Sequence, residues 1–342
     1  MAREQLAQLL NAAPREIVFT GGGSETDALA IRGAALAQRE HGEHLITQPT
    51  EHPAVLETFR ALQTEGFRVS YLPVDRYGQV SPRDLQEALT DHTTVVSIML
   101  GNAETGTIQP IAELAALTRA HRAVFHTDAA QAVGKIPVDV ENLGVDLLTV
   151  VGHKMYAPKG VGALYIRAGT PLHPIITGGG QEHGLRAGTE NVALIAALGA
   201  AAHLSAEELP HSVPRLRELR DRLYRQLEHQ LPGRVHLNGH PTTRLPGTLN
   251  ITIDGVRGRQ LLASTPAIAA ATGSACHEGV DQPSPVLTAM GLDDHRAATA
   301  LRLSLGRWST TTDIDRATQL IAAHTLESEF SERPAEPNPS RQ

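Results

Sequence analysis

Three groups that suit one kind of chemistry stand directly after apolar, strand-like runs of the sequence. Gly21-Gly22-Gly23-Ser24 follows EIVFT, Asp128 follows AVFHT, and Gly152-His153-Lys154 follows VDLLTVV. Because ligands of an open parallel sheet bind beyond the carboxyl ends of its strands, these groups should meet. Taken singly, they could be a tight turn, a helix cap and a solvated loop lysine. As an ordered set they indicate pyridoxal 5′-phosphate (PLP). The lysine would bind it covalently, the acid would keep its pyridine nitrogen protonated, and the helix terminus would hold its phosphate.

Cys276, within GSACHEG, is the only cysteine of the 342 residues, so the chain forms no internal disulfide. A lone cysteine is often an inert side chain of the core. Here Gly, Ser, His and Glu do not make a core pattern, and Gly279, Asp281, Pro283 and Pro285 mark a turn-rich loop. From this context alone, a structural thiol and a reactive thiol both stay open.

The elements that must position these groups follow an alternating order. Strand-like runs such as HLITQ, TTVVSIML and GALYI alternate with helical patterns over 24–39, 53–65, 82–89 and 110–121. This order predicts an α/β fold, with a mostly parallel sheet and helices on both of its faces. A leucine-rich amphipathic helix over about 213–231 then leads to the strand TLNITI, which predicts a second, smaller α+β domain.

Three segments are expected along the chain. Residues 1–205 form the large domain, and residues 206–328 form the small C-terminal domain with the Cys276 loop. Residues 329–342 form a disordered tail, because ERPAEPNPSRQ is polar and rich in proline.

Composition narrows the class of protein. The net charge of −7 gives no support for binding to nucleic acid or to an anionic membrane. No window approaches about 18 consecutive apolar residues, and the start MAREQLAQLL is unlike a signal peptide. The sequence therefore predicts a cytoplasmic globular protein, and we expect no metal site.

The segment HTDAAQAVGKIPVDVENLGVDLLTVVGHKMYAPKGVGALYI closely resembles the PLP-binding segment of cysteine desulfurases and selenocysteine lyases, in the class V aminotransferase group. The resemblance extends over roughly residues 1–325 and includes FTGGGSETDALAI, ETGTIQPI, GGGQEHGLRAGTENV, ACHEGVDQPSPVL and ALRLSLGR. It implies the fold of PLP-dependent transferases, which is aspartate aminotransferase-like. TVVGHK and GGGQEHGLRAGTEN are nearer to the selenocysteine-lyase branch.

The resemblance implies a role for each matched residue around the cofactor. Lys154 is the lysine that binds PLP, and Asp128 pairs with the pyridine nitrogen. Gln131 contacts the phenolic oxygen, and His52 stacks on the ring. The residues expected to line the phosphate are Gly23, Ser24 and His153. Without these surroundings, His52 would be taken for a polar residue at a helix start.

The resemblance also implies how substrate and partners bind. Arg302 would take the substrate carboxylate, a task suited to its planar fork. Cys276 would accept the sulfur, and Thr189 would reach the phosphate of the partner subunit of a homodimer. Taken alone, Arg302 could be a surface ion-pair former and Thr189 a helix cap.

The activity implied is that of a PLP-dependent cysteine desulfurase. Such an enzyme converts L-cysteine to L-alanine, keeps the sulfur as a persulfide and passes it to an acceptor protein, as in iron–sulfur cluster assembly. The alternative is a selenocysteine lyase that releases selenide and alanine from L-selenocysteine. A PLP aminotransferase or another carbon–sulfur lyase would also need Lys154 and Asp128, but it would not need Cys276.

The sequence departs from the family pattern at three places. Ala103 stands where many relatives have a second asparagine that touches the cofactor, so either Asn102 substitutes or Gln131 makes that contact alone. Val151 stands where many desulfurases have a serine, which weakens the expected hold on the phosphate. Relatives also begin with a further N-terminal segment, whereas Met1 already opens a helical pattern without an N-cap. A truncated, weakly active or non-catalytic homologue is therefore a further alternative.

Overall fold

The computed structural model describes residues 1–273 and 283–332. Strand-like and helix-like segments alternate up to residue 166, as the sequence predicts. The strands are β1 (Ile17–Thr20), β2 (His44–Thr47), β3 (Arg68–Tyr71), β4 (Thr93–Ser97), β5 (Val124–Asp128), β6 (Leu147–Val151), β7 (Gly162–Ile166), β8 (Val235–Asn238), β9 (Thr248–Ile253) and β10 (Ala300–Ser304). The helices are α1 (Ala2–Leu10), α2 (Gly23–Ala37), α3 (Pro53–Thr64), α4 (Pro82–Ala88), α5 (Ile111–Ala120), α6 (Val140–Leu143), α7 (Val192–Gln230), α8 (Gly258–Ser264), α9 (Pro285–Ala289), α10 (Asp294–Ala297) and α11 (Thr311–Glu332).

Seven strands form one mostly parallel sheet in the order β1-β7-β6-β5-β4-β2-β3. Only β7 runs against its neighbours, since it pairs antiparallel with both β6 and β1. Every residue of β4, β5 and β6 is buried. Burial on both faces is what parallel strands require, because helices cover the sheet from each side. The expected α/β fold with a mostly parallel sheet is confirmed.

Two separate hydrophobic clusters lie on the two faces of this sheet. One face packs against α1, α5 and the first half of α7, through side chains that include Leu6, Leu114 and Leu198. The other face packs against α2 and α3, through side chains that include Leu29 and Phe59. Burying each such side chain stabilises the fold by roughly 1.5–3 kcal/mol.

A three-stranded antiparallel sheet in the order β10-β9-β8 forms the smaller α+β region. Its core unites Leu223 and Leu227 of α7 with Ile251 and Ile253 of β9. The strand predicted from TLNITI is β9, with the same limits. Arg302 of β10 lies opposite Asn250 of β9, so this sheet carries one of the predicted site residues.

One helix joins the two regions, and here the structure differs from the sequence prediction. The predicted boundary at residues 205 and 206 lies inside α7, which runs unbroken over Val192–Gln230 instead of starting near 213. Pro210 and Pro214 favour a helix start, because proline cannot donate the helical hydrogen bond of its position. They are accommodated within α7 because residues on both sides of them, such as Leu209 and Leu216, are buried in the fold.

The two ends of the described chain are helical. Leu6 and Leu10 of α1 are fully buried, as the helical pattern of MAREQLAQLL predicts, and α1 packs against α7 near Gly199. A β-carbon at Gly199 would lie 2.5 Å from the α-carbon of Ala2, so the two helices need glycine there. At the other end α11 extends to Glu332, so residues 329–332 are helical and were wrongly assigned to the tail. Residues 333–342 lie outside the described residues.

By length and composition alone, α7 would also be able to cross a membrane. Within the fold, 33% of its apolar window is buried, and Leu198 in the first half of α7 belongs to the core beneath the large sheet.

Candidate active site

A cavity of about 980 Å³ lies beyond the carboxyl ends of β5 and β6, between the large sheet, α7 and β10. A ligand cavity is expected at this position, because parallel strands present their loops and helix N-termini at this edge of a sheet. Most of the predicted site residues line it: Gly23, Ser24, His52, Asp128, Gln131, His153, Lys154 and Arg302. The structure thus brings together side chains that are far apart in the sequence.

Lys154 is placed by a single tight turn. β6 ends at Val151, and a 3₁₀ turn over Gly152–Met155 directs the lysine into the cavity. Gly152 is required, because a β-carbon there would lie 2.9 Å from the carbonyl oxygen of Val161. The lysine is half-buried, which keeps it accessible to a ligand.

The N-terminus of α2 forms the anion-binding side of the cavity. Among residues 1–273 and 283–332, no side chain caps this helix, so the first backbone N–H groups at Gly23, Ser24 and Glu25 are available to a ligand. A β-carbon at Gly23 would lie 2.8 Å from Cγ2 of Val151. The valine that departs from the family pattern therefore packs against the helix start, and it contributes no polar group to this side.

Asp128 is buried at the end of β5, where Oδ1 accepts a hydrogen bond from the N–H of Ala130 over 2.8 Å. Burial raises its pKa, while that N–H and the charges of His52 and Lys154 oppose the rise. His52 caps α3, since its Nδ1 accepts the N–H of Ala54 over 3.1 Å. A cation near Asp128 would favour its ionised form, as a pyridinium nitrogen does.

Asp128 belongs to a buried group that we call the acidic floor, formed by Asp27, Glu51, His126 and Asp128. Burial, followed by the charge of Asp128, raises the pKa of Asp27 well above its usual range. Burial also raises the pKa of Glu51 to about 8, against the hydrogen bonds from Met99 and Gln48.

His126 completes the acidic floor without a charge. Its Nδ1 lies 2.8 Å from Oγ of Ser97, and its Nε2 lies 3.0 Å from Oγ1 of Thr149. Burial lowers the pKa of His126 to about 3, so the ring is neutral near pH 7. Oδ1 of Asp27 lies 3.8 Å from Nε2 of His126 and has no hydrogen-bond partner among the described residues. An unpaired buried carboxylate costs far more free energy than a neutral acid, so burial favours the protonated form of Asp27.

Arg302 reaches the cavity from β10. Its Nη1 donates to the carbonyl oxygen of Ala103 over 3.4 Å, and both residues line the cavity. A guanidinium group there suits a carboxylate, because it can donate two parallel hydrogen bonds.

Asn102 lies outside this cavity, in an adjoining pocket of about 150 Å³. Its side-chain oxygen accepts the N–H groups of Glu104 and Thr105, and its Nδ2 donates to the carbonyl oxygen of Thr50. The amide is therefore used by the turn of the ETGT segment, and the structure does not bring it to Lys154.

Thr189 also lies elsewhere. It is exposed in a third pocket of about 260 Å³, lined in addition by Gly21, Glu182 and Arg186. This pocket lies on the other side of the residues that start α2, and Arg186 forms an ion pair with Glu25 over 2.8 Å.

Cys276 lies outside the described residues, but both flanks of its segment are placed. Ala271 and Arg302 exchange two backbone hydrogen bonds, which anchors the chain beside the cavity. On the other flank, Oγ of Ser284 donates to Oε2 of Glu104. A β-carbon at Gly273 would lie 3.4 Å from that same oxygen. The two described flanks, Gly273 and Ser284, therefore meet at one buried carboxyl group, that of Glu104, in the pocket that adjoins the cavity.

Sequence reasoning missed several residues of the cavity. Asp27 lies three residues after Ser24, on the same face of α2, and this spacing was the available signal. Lys135 lies four residues after Gln131. At the entrance, α7 and the segment after β10 add a charged group that we call the mouth: Glu207, Glu208, Arg215 and Arg307. No local motif marks the mouth, because tertiary packing alone brings α7 to this place.

The residues present fit PLP. A half-buried lysine and a buried acid match the aldehyde and the pyridine nitrogen of the cofactor, and the start of α2, which no side chain of the described residues caps, matches its phosphate. A volume of about 980 Å³ also leaves room for an amino acid beside it.

Comparison with known proteins places the chain among PLP enzymes. Residues 1–317 match the family described as Aminotransferase class-V. The chain is 47% identical to the cysteine desulfurase IscS of Methanosarcina thermophila over 323 residues, which are 94% of this chain and 80% of that protein.

Solved structures agree with this. The fold resembles that of a NifS-like protein with a TM-score of 0.88 and 36% identity, covering 95% of this chain and 87% of the other. It also resembles the structure titled SspA in complex with cysteine, with a TM-score of 0.78 and 37% identity, covering 90% and 86% of the two chains. The expected fold of PLP-dependent transferases is thereby confirmed.

Proposed function

Because the chain belongs to the class V aminotransferase family, we propose that it is a PLP-dependent cysteine desulfurase, which converts L-cysteine to L-alanine and keeps the sulfur as a persulfide. One observation carries the proposal: a single cavity joins Lys154, Asp128 and Arg302, and Ala271, which precedes the segment with Cys276, pairs with Arg302 beside it.

Three parts of the chain would hold the cofactor. Lys154 would bind it covalently, and Asp128 would accept the proton of the pyridine nitrogen in a charge-assisted hydrogen bond. The start of α2 at Gly23 and Ser24 would bind the phosphate through backbone N–H groups. His153 lines the same cavity, and burial with the nearby lysine charges lowers its pKa, so it would act as a neutral hydrogen-bonding group.

L-cysteine would enter from the mouth and place its carboxylate on Arg302. Support comes from the relatives, which are named cysteine desulfurases, and from the similar structure whose title includes cysteine. The motifs nearer to selenocysteine lyases do not outweigh this, so we take L-selenocysteine as the second substrate to test.

PLP supplies an electron sink for the α-carbon of a bound amino acid. The amine of Lys154 would remove the proton from that carbon and return a proton to the product. The acidic floor excludes water around Asp128, which strengthens its interaction with a pyridinium proton.

Cys276 would take the sulfur. A bond forms between its Sγ and the substrate sulfur, while the Cβ–S bond of the substrate breaks and its electron pair stays with the carbon fragment. That fragment gains a proton and leaves as alanine. The persulfide would then pass its outer sulfur to an acceptor protein. A second copy of the chain would complete the phosphate site through Thr189, whose exposed position leaves it open to a partner.

Product release by the purified protein tests the proposal. L-cysteine with a thiol reductant should give alanine and sulfide in equal amounts, at a higher kcat/KM than alanine and selenide from L-selenocysteine. Cys276→Ala should keep the absorbance of bound PLP and lose sulfide release, whereas the neighbouring Ser274→Ala should keep both. Parental sulfide release by Cys276→Ala would reject the persulfide, and a higher kcat/KM for L-selenocysteine would favour the lyase.

A further inference from the structure

Lysine is rare in this chain. The sequence has three lysines and 27 arginines, and all three lysines lie between residues 135 and 159. Lys154 would bind the cofactor, and Lys159 is exposed and does not line the cavity. Lys135 does line the cavity, and the chemistry proposed above does not use it. Since arginine serves at nearly every other cationic position, this position should require a compact ammonium group.

The contact that defines Lys135 is a hydrogen bond from its Nζ to Oε1 of Gln131, over 2.6 Å. The two residues are four apart on a helical turn that follows β5, which puts their side chains on one side. Gly134 lets this turn pack closely, because it has a φ of +75° and a β-carbon there would lie 2.9 Å from Cβ of Met155. The turn is thus fixed against the residue that follows Lys154.

This hydrogen bond decides which way the Gln131 amide points. An ammonium group donates and never accepts, so only the amide oxygen of Gln131 can face Lys135. The NH₂ group must then face elsewhere, and Gln131 lines the cavity beside Lys135. Without the ammonium, the two ends of an amide are nearly equal in shape, so the side chain would be able to turn over.

We propose that Lys135 is a positioning residue: it holds the Gln131 amide so that its NH₂ group, and not its oxygen, faces an anionic oxygen of the ligand in the cavity. The inference rests on the proposed function, because PLP supplies that oxygen. A fixed donor stabilises the anion, whereas a turned amide would place a second acceptor against it.

The charge state of Lys135 agrees with this role. Burial, and then the charges of Lys154 and Arg302, lower the pKa of Lys135 to about 8, so the ammonium prevails near pH 7. The other titratable or charged side chains that line the cavity are Asp27, His52, Asp128, His153, Tyr156, Glu207, Glu208, His211, Arg215 and Arg307.

A double-mutant cycle on the PLP-loaded protein without substrate tests the inference. The readouts are the pH midpoint of the absorbance change of bound PLP and the Kd of PLP. Lys135→Met should raise the midpoint by about one pH unit, because the anionic form loses its donor, and should weaken PLP binding several-fold. Gln131→Ala should shift the midpoint in the same direction. The double variant should shift it no further than Gln131→Ala alone. Lys159→Met, which removes the same charge outside the cavity, should leave both readouts unchanged.

Two results would overturn the inference. Shifts that add fully in the double variant would mean that Lys135 acts by its charge and not through Gln131, and no shift in Lys135→Met would mean that it has no such role. Lys135→Gln is the control for a folding defect. Its neutral amide keeps a hydrogen-bond partner for Gln131, but it allows the Gln131 amide to adopt either orientation. Wild-type protein that binds no PLP would instead overturn the proposed function, and the inference with it.

Discussion

The acidic floor and the mouth of the cavity differ in burial. The acidic floor is buried, with Asp27, Glu51 and His126 each no more than 3% exposed, so the protonation of its groups follows from desolvation. The mouth is partly exposed, with 24% of the Arg307 and 44% of the Glu208 side chain accessible, so water screens the ion pair between them. The same residue types therefore differ between the two groups: burial shifts the pKa values of the floor, whereas water screens the charges of the mouth.

Lys154, which lies between these two ends, should give the largest effect. Lys154→Ala removes the group that moves the proton at the α-carbon, so kcat/KM for alanine release should fall by about 10³-fold or more. Borohydride reduction of the wild-type protein and peptide mapping should place the PLP tag on Lys154. A tag on Lys135 or Lys159 would contradict the assignment.

Asp128→Asn should come next, with a loss of about 10²–10³-fold in kcat, because an amide does not stabilise a pyridinium proton. Asp27→Asn is the matched control within the acidic floor. Burial favours the protonated form of Asp27, so the amide is a close replacement, and kcat should change less than tenfold. Equal losses in the two variants, measured by alanine release, would mean that Asp27 is ionised and shares the role of Asp128.

Arg302→Ala should raise the KM for L-cysteine by about 10–100-fold with a smaller change in kcat, because it removes a carboxylate contact that is present before the reaction. Arg307→Ala removes the same kind of group at the mouth, where the charge is screened, and should change KM less than threefold. Steady-state kinetics on both variants gives the comparison. A larger KM effect for Arg307→Ala would move the carboxylate site to the mouth.

Glu51 should give the smallest effect, which is on the pH dependence of the free energy of unfolding. Its pKa is about 8 in the folded protein and near 4.5 when unfolded, so the folded state holds a proton that the unfolded state releases in this range. Stability should therefore fall as the pH rises from about 5 to 8. Glu51→Gln keeps an oxygen that can accept the hydrogen bonds from Gln48 and Met99. The free energy of unfolding of this variant should therefore decrease between pH 5 and pH 8 by about 1–3 kcal/mol less than that of the wild-type protein. Denaturant unfolding without cofactor at pH 5 and pH 8 measures it, and parallel pH profiles for both proteins would show that Glu51 is ionised in the fold.

The sequence was most informative where a strand ends. Lys154, Asp128 and Gly23 each follow a run of buried residues, and the rule for parallel sheets then brings them together. Local patterns failed where long-range packing decides, as at Pro210 and Pro214, which favour a helix start but lie within α7. Asn102 was taken for a cofactor contact because its neighbour Ala103 has no polar group, yet the turn at Glu104 uses its amide oxygen, and its Nδ2 donates to the carbonyl oxygen of Thr50.

The mouth was missed for a related reason. Its residues lie on α7 and after β10, and only the tertiary fold brings them to the cavity that Lys154 lines. Hydrophobic periodicity reports which face of a helix is buried, but not which partner it faces.

The continuous helix α7 also has a consequence for how the protein unfolds. Leu198 and Ala202 belong to the core beneath the large sheet, while Leu223 and Leu227 belong to the core of the small sheet. Melting either core would leave half of one helix without the contacts that keep it folded, since a helix in water gains little stability from its own backbone. The two regions should therefore lose their structure in a single cooperative transition, and a calorimetric scan should record one peak of heat absorption instead of two.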